Sequence, residues 1–323
     1  MGRDSDDSRR DEPLGGTADS SSRARLAALT IQSLTALPRS QDSLDTAELL
    51  MSSLWVSFDD AVTSAAMQTA RFSPGSILRH LGHLFESPSP WTSRKSKNRA
   101  RMSLMGLDNL WLEISNSARV IPNQVGDSDD IMGSSQIDRV GFLLARDPGE
   151  EGHVAIFVSW QQSDGMVNHA APILHWHGHE LLGARDGYRR SADQDAFMTL
   201  MNLGKTTIPS AFAEETAVMN GIAGASRSFL EETMMTARRQ VMGEYVFLLA
   251  LLLMMESHSI ETDETWMPGS GNVPGRPGIR VRMGDIGNSL VSSVANRLYR
   301  RRGGFSTSPL GGPMVWRRPT PQL

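Results

Sequence analysis

The stretch ILHWHGHE places His175, His177 and His179 at alternate positions, with Glu180 directly after them. Imidazole binds divalent metals, carries protons and titrates near neutral pH. On an extended strand alternate residues share a face, so the three histidines align with Ile173 and Leu181, while Trp176 points the other way. Neighbours in such a row are about 7 Å apart, close enough for two imidazoles to reach one ion at about 2.0 Å, whereas the outer pair is about 13 Å apart. A metal centre would therefore use His175 with His177, or His177 with His179, plus a ligand from elsewhere. The metal implied is a divalent ion such as zinc, and no motif calls for another cofactor.

His153 is the candidate third ligand, and strand register decides its position. A two-residue turn at Asp164-Gly165 sets His175 opposite Val154 and turns His153 away. A three-residue turn, Ser163 to Gly165, sets His153 opposite His175 on the same face. A slip of one residue exchanges the faces. Pro172 removes one ladder donor and predicts an edge strand or a bulge.

The triplet His175-Trp176-His177 is similar to the His-hydrophobe-His metal motif of rolling-circle nucleases. The resemblance covers three residues. It implies a nucleophilic tyrosine on a helix; Tyr299 is followed by Arg302 where those enzymes commonly carry lysine. Other chemistries are excluded more firmly. Gly204-Lys205-Thr206 lacks the earlier glycine of a phosphate-binding loop, because Thr199 stands in its place. The chain has no cysteine, so disulfides, thiol catalysis and thiolate metal sites are absent. No complete catalytic motif is found, which favours a non-enzymatic protein.

The second chemical feature is charge. The net charge is −4, yet residues 276–323 carry nine arginines and one acid, Asp285. An acidic body thus ends in a basic segment, a pattern that points to electrostatic partners. Arg94, Lys95, Lys97, Arg99 and Arg101 form one basic cluster, and Arg280, Arg282, Arg300, Arg301 and Arg302 belong to another. Arginines grip phosphates in pairs of hydrogen bonds, and nearby aromatic residues stack on bases. The expected function is a self-associating interaction protein, a homo-oligomer, whose Arg-rich segments contact RNA or protein. The alternative is a metal-dependent hydrolase or nuclease built on His175 and His177.

The elements that would position these residues follow from periodicity. Residues 1–24 and 303–323 hold little to bury and are expected to be disordered tails. Helical stripes run through 25–122, including one continuous helix from Ser43 to Phe72 and another around Leu104 to Ile114. RVGFLLA, HVAIFVSW and MVNHAAPILHWHGHELL predict a three-stranded antiparallel meander within a 138–258 region whose remainder is helical. The apolar run Tyr245 to Met255 is too short to span a membrane and predicts a core helix. Residues 259–278 read as a Gly/Pro linker and 279–302 as a basic strand and helix. The predicted fold is α+β and predominantly helical, a small meander packed between two helical regions. No membrane span or signal peptide is visible, so the cytoplasm is the expected location.

Overall fold

The computed structural model describes residues 26–36, 41–85, 109–119, 136–146, 153–169, 173–187, 193–207, 227–257, 259–284, 304–306 and 315–317. In chain order the elements are α1 (Leu26–Ala36), α2 (Gln41–Ser52), β1 (Leu54–Phe58), α3 (Asp60–Phe72), α4 (Pro74–His80), α5 (Gly82–Phe85) and β2 (Asn109–Ser115). Then come β3 (Ile137–Arg146), β4 (His153–Gln162), β5 (Val167–His169), β6 (Ile173–His177), α6 (Gly178–Gly187), α7 (Asp193–Leu203) and β7 (Lys205–Thr207). The last are α8 (Arg227–Glu256), β8 (Ile260–Met267), β9 (Arg276–Met283), β10 (Gly304–Ser306) and β11 (Val315–Arg317).

These elements overturn the predicted architecture. Instead of a small meander in a helical protein there is one mixed sheet of nine strands, ordered β7-β6-β4-β3-β2-β1-β9-β8, with β5 also paired to β4. β1 runs parallel to both of its neighbours, β2 and β9, and the other pairs are antiparallel. The expected meander is present as β3, β4 and β5–β6, but it forms only one half of the sheet.

Three segments account for the difference. The helix expected over Ser43 to Phe72 is interrupted by β1, whose residues LWVSF are mostly aromatic or branched and pack better on a pleated surface. The helix expected around Leu104 to Ile114 is β2, in which Leu110, Trp111, Leu112, Glu113 and Ile114 are all buried. A strand covered on both faces loses its alternation, so its apolar run also satisfies a helical stripe. The expected linker at 259–278 contains β8, the turn closed by Ser270 and Val273, and the start of β9. Within the expected C-terminal tail, β10 and β11 pair as a short hairpin. Residues 1–24 lie outside the described residues.

Alternation then gives the sheet two unlike faces. Even-numbered residues of β2, β3, β4 and β6, such as Leu112, Phe142, Ile156 and Trp176, face the larger core under α8 and α3. Tyr245 to Met254 of α8 are all fully buried or nearly so, which accounts for an apolar run bounded by Glu244 and Glu256. Among the described residues no helix is long and apolar enough to cross a membrane. Odd-numbered residues, among them Trp55, Trp111, Leu143 and Phe157, face α1 and α2. Gly141 is required here, because a Cβ would lie 2.0 Å from the Trp111 ring.

A buried ion pair ties α8 to the end of β2. Arg119, in the short helical turn after that strand, meets Glu244 at 2.8 Å, and its guanidinium lies 4.6 Å from the centre of the Phe247 ring. Two buried charges of this kind add little net stability, but removing one strands the other. Arg119→Met is expected to cost about 3–5 kcal/mol, and Arg119→Met with Glu244→Leu to recover most of it. Leu251→Ala should cost about 2–5 kcal/mol by opening a cavity in α8. Urea unfolding of the variants measures all three values.

Candidate functional site

The histidines are positioned by the long β3–β4 pairing and by the return of the chain through β5 and β6. The turn after β4 is the three-residue form: the Gln162 amide donates to the Met166 carbonyl at 2.8 Å, and Gly165 adopts φ 89°, which favours glycine. β5 pairs Ser159 with His169, whereas β6 pairs Ala155 with His175 and His153 with His177. Six steps of the returning chain therefore span four of β4. An even surplus preserves the face, so His153 stays on the side of His175 and His177. Neither simple register is right: His175 faces Ala155, and His153 faces His177.

His179 does not continue the row. The strand ends at His177, and Gly178 opens α6, which contains both His179 and Glu180. The sequence-based cluster of His175, His177 and His179 is thus replaced by His153, His175 and His177, all half-buried on the odd face. Lys205 of β7 is in register with His175 and donates to Glu180 at 2.6 Å. That ammonium holds the Glu180 carboxyl below its usual range.

Nitrogen geometry decides the chemistry. His153 Nε2 and His175 Nδ1 are 3.0 Å apart and form a hydrogen bond. Their ring centroids are 5.2 Å apart, little more than that distance plus a ring half-width at each end, and their planes differ by 18°. The two nitrogens therefore point almost directly at each other. An ion on the line between them would lie about 1.5 Å from each, inside the roughly 2.0 Å of a Zn–N bond. The two facing nitrogens share a hydrogen bond, and among the described residues no group of three His, Asp or Glu is placed to hold a metal. His177 lies against the other side of the cluster, its ring 4.6 Å from that of His153 and within 8° of parallel. Burial, and then the neighbouring His153 and His177, push the His175 imidazole below its ordinary value.

Two further groups on the same face were not visible in the sequence. His169 bridges Ser159 and Ser33 at 3.2 Å each, joining β4 to α1. Glu113 is a lone carboxyl within the apolar run of β2, and only that isolation marks it in the sequence. Its oxygens meet Arg139 at 3.3 Å and the Trp111 indole at 3.5 Å, and it also accepts from the Leu26 amide at the start of α1. Burial pushes its carboxyl up to about 7, against the opposing pull of Arg139 and these hydrogen bonds.

The basic candidates divide. Arg280 pairs with Asp59 at 2.8 Å, and Arg282 with Glu261 at 3.0 Å and Asp263 at 2.8 Å. Arg276 donates to the Met51 carbonyl and lies 5.3 Å from the centre of the Trp55 ring. The basic strand is thus used within the fold. Arg94, Lys95, Lys97, Arg99, Arg101, Arg300, Arg301 and Arg302 lie outside the described residues.

No protein family, no curated protein and no solved structure matches this chain.

Glu113 makes a signed forecast. Its folded value lies above the unfolded one, so as pH rises from about 4.5 to about 7 the unfolded chain ionises first and this group's stabilisation is lost. Glu113→Gln keeps an oxygen for the Leu26 amide but cannot ionise. Relative to the native chain, the variant should not show this decline, on the order of 1–3 kcal/mol, in urea unfolding across that range.

Proposed function

We propose that the chain is a non-enzymatic, self-associating interaction protein whose Arg-rich segments contact RNA or a protein partner. The observation that carries this reading is the segregation of charge: nine arginines and one acid in residues 276–323, on a chain of net charge −4. The ion pairs of Arg280 and Arg282 refine it. These two side chains already meet carboxylates, so the proposal rests on the charge of Arg300, Arg301 and Arg302 and of the cluster from Arg94 to Arg101. Ion pairs exposed at a sheet edge contribute only about 0–1 kcal/mol, so their main effect here is neutralisation. They also illustrate the contact that a second copy would make, guanidinium on carboxylate. The metal-dependent reading on His175 and His177 gains no third ligand among the described residues and is not developed further.

Arg300→Ala, Arg301→Ala and Arg302→Ala, made together, test the proposal. If the segment holds RNA, binding in a gel shift weakens for all sequences alike, and the log–log salt slope flattens by about 0.7–0.9 for each phosphate no longer neutralised. If it docks on the acidic body of another copy, light scattering shows the oligomer dissociating. A chain that binds no RNA at low salt and scatters as a monomer overturns the proposal.

A further inference from the structure

The fold brings three imidazoles together at one end of the β4–β6 ladder, where β6 runs into α6. β6 has four register partners on β4 and three on β7, and its last pair, His153 with His177, lies where the chain turns into α6. The N–H···N bond between His153 and His175 needs one ring to donate and the other to accept. A neutral pair satisfies this, and so does a pair sharing one extra proton. With two extra protons, both facing nitrogens carry hydrogen, the acceptor is gone, and two cations meet across 3.0 Å. His177 stacks on His153 at 4.6 Å, outside that hydrogen bond.

We propose that His153 and His175 form an acid-sensitive clasp that holds β6 against β4 while the pair carries at most one extra proton, and releases it when a second arrives. The surrounding groups leave this logic intact. Lys205 from β7 is in register with His175, and its charge opposes protonation of the cluster. Glu180 from α6 is within electrostatic reach of His177, but it is exposed and bonded to Lys205. β3 contributes the uncharged Ala145 to the row of Ala155, and Arg146 is in register with Val154, whose side chain lies on the opposite face. His169 of β5 lies farther along β4, against Phe157. On the other face Leu174 and Trp176 anchor β6 in the core, so release starts from the histidine side.

The sign follows from His175. Its folded value is depressed, so it contributes stability above its ordinary value of 6.5, and that stability is lost as pH falls through the folded value. The test is histidine-ring NMR on the full chain from about pH 8 to about pH 5, paired with hydrogen exchange corrected for the intrinsic rate. The expected result is that His175 titrates below the ordinary imidazole value. Protection of the Leu174 and Trp176 amides should fall at least about tenfold across that step, while that of β2 and β3 holds. His153→Gln can still bond to His175 but takes no proton, so the acid-linked loss at β6 should largely disappear. An equal loss in this variant overturns the proposal, as does flat β6 protection through the titration of the native chain. If the variant does not fold, the native chain decides alone, because a clasp requires loss of protection to follow the His175 titration.

Discussion

The sheet depends on β1 being enclosed on both sides by parallel partners distant in sequence. Val56 pairs with Leu112 on one side and with Ile279 on the other. Until the C-terminal strand arrives, one edge of β1 has no hydrogen-bond partner, and the large core is open beside Val56 and Phe58. The Asp59 amide donates to the Val281 carbonyl at 2.9 Å and the Asp59 carboxylate takes Arg280, so the residue that begins α3 is also fixed by β9. Contacts of such long sequence separation form late and at a high loop-closure cost. The meander and the β8–β9 pair are thereby strands of one sheet, joined through β1 and β2.

This constraint explains what could be read from sequence. α1 was legible from its apolar stripe and α8 from the apolar run Tyr245 to Met255 in its second half. A turn at Asp164-Gly165 was legible because Asp and Gly specify one locally, but its length of three residues was not. β1 and β2 were not, because a central strand has no solvent face to impose a period of two. In LWVSF and NLWLEIS the face that bears Trp55 and Trp111 is buried as well as the face of Val56 and Leu112, and the tryptophans blur the alternation. β8 failed for the opposite reason. It is an edge strand whose middle, Glu261 to Glu264, is polar and partly exposed, and the glycines and prolines that follow make the whole segment resemble a linker.

The site was half legible for related reasons. Alternation placed His175 and His177 on one face correctly, but it could not show that Gly178 ends the strand and takes His179 into a helix. The position of His153 depends on the two-residue advance between β5 and β6, which no local motif encodes. Only the parity of that advance matters for the face, which is why the right histidine could be named and the wrong partner assigned to it. Arg280 and Arg282 look like outward charge in the sequence because their carboxylates are remote along the chain or belong to the unrecognised β8.

The odd face of the sheet shows what partial coverage does to ionisable groups. α1 seals Glu113, and the cost of burying that carboxylate is offset only in part by Arg139 and the Leu26 amide, so the neutral form persists towards neutral pH. Beyond α1 the face is half open, and there His175 is also kept neutral, by partial burial and by its own kind. Burial thus disfavours charge at both ends, but acidification acts in opposite directions: it removes a charge at the Glu113 end and adds one at the histidine end. The sealed centre is therefore relieved by acid, while in the proposed clasp β6 is strained by it. A face covered uniformly by helices would answer pH as a whole. Because α1 and α2 cover only part of this one, its response is divided, and the proposed clasp lies one strand in from the sheet edge, with Leu174 and Trp176 holding the other side of β6 in the core.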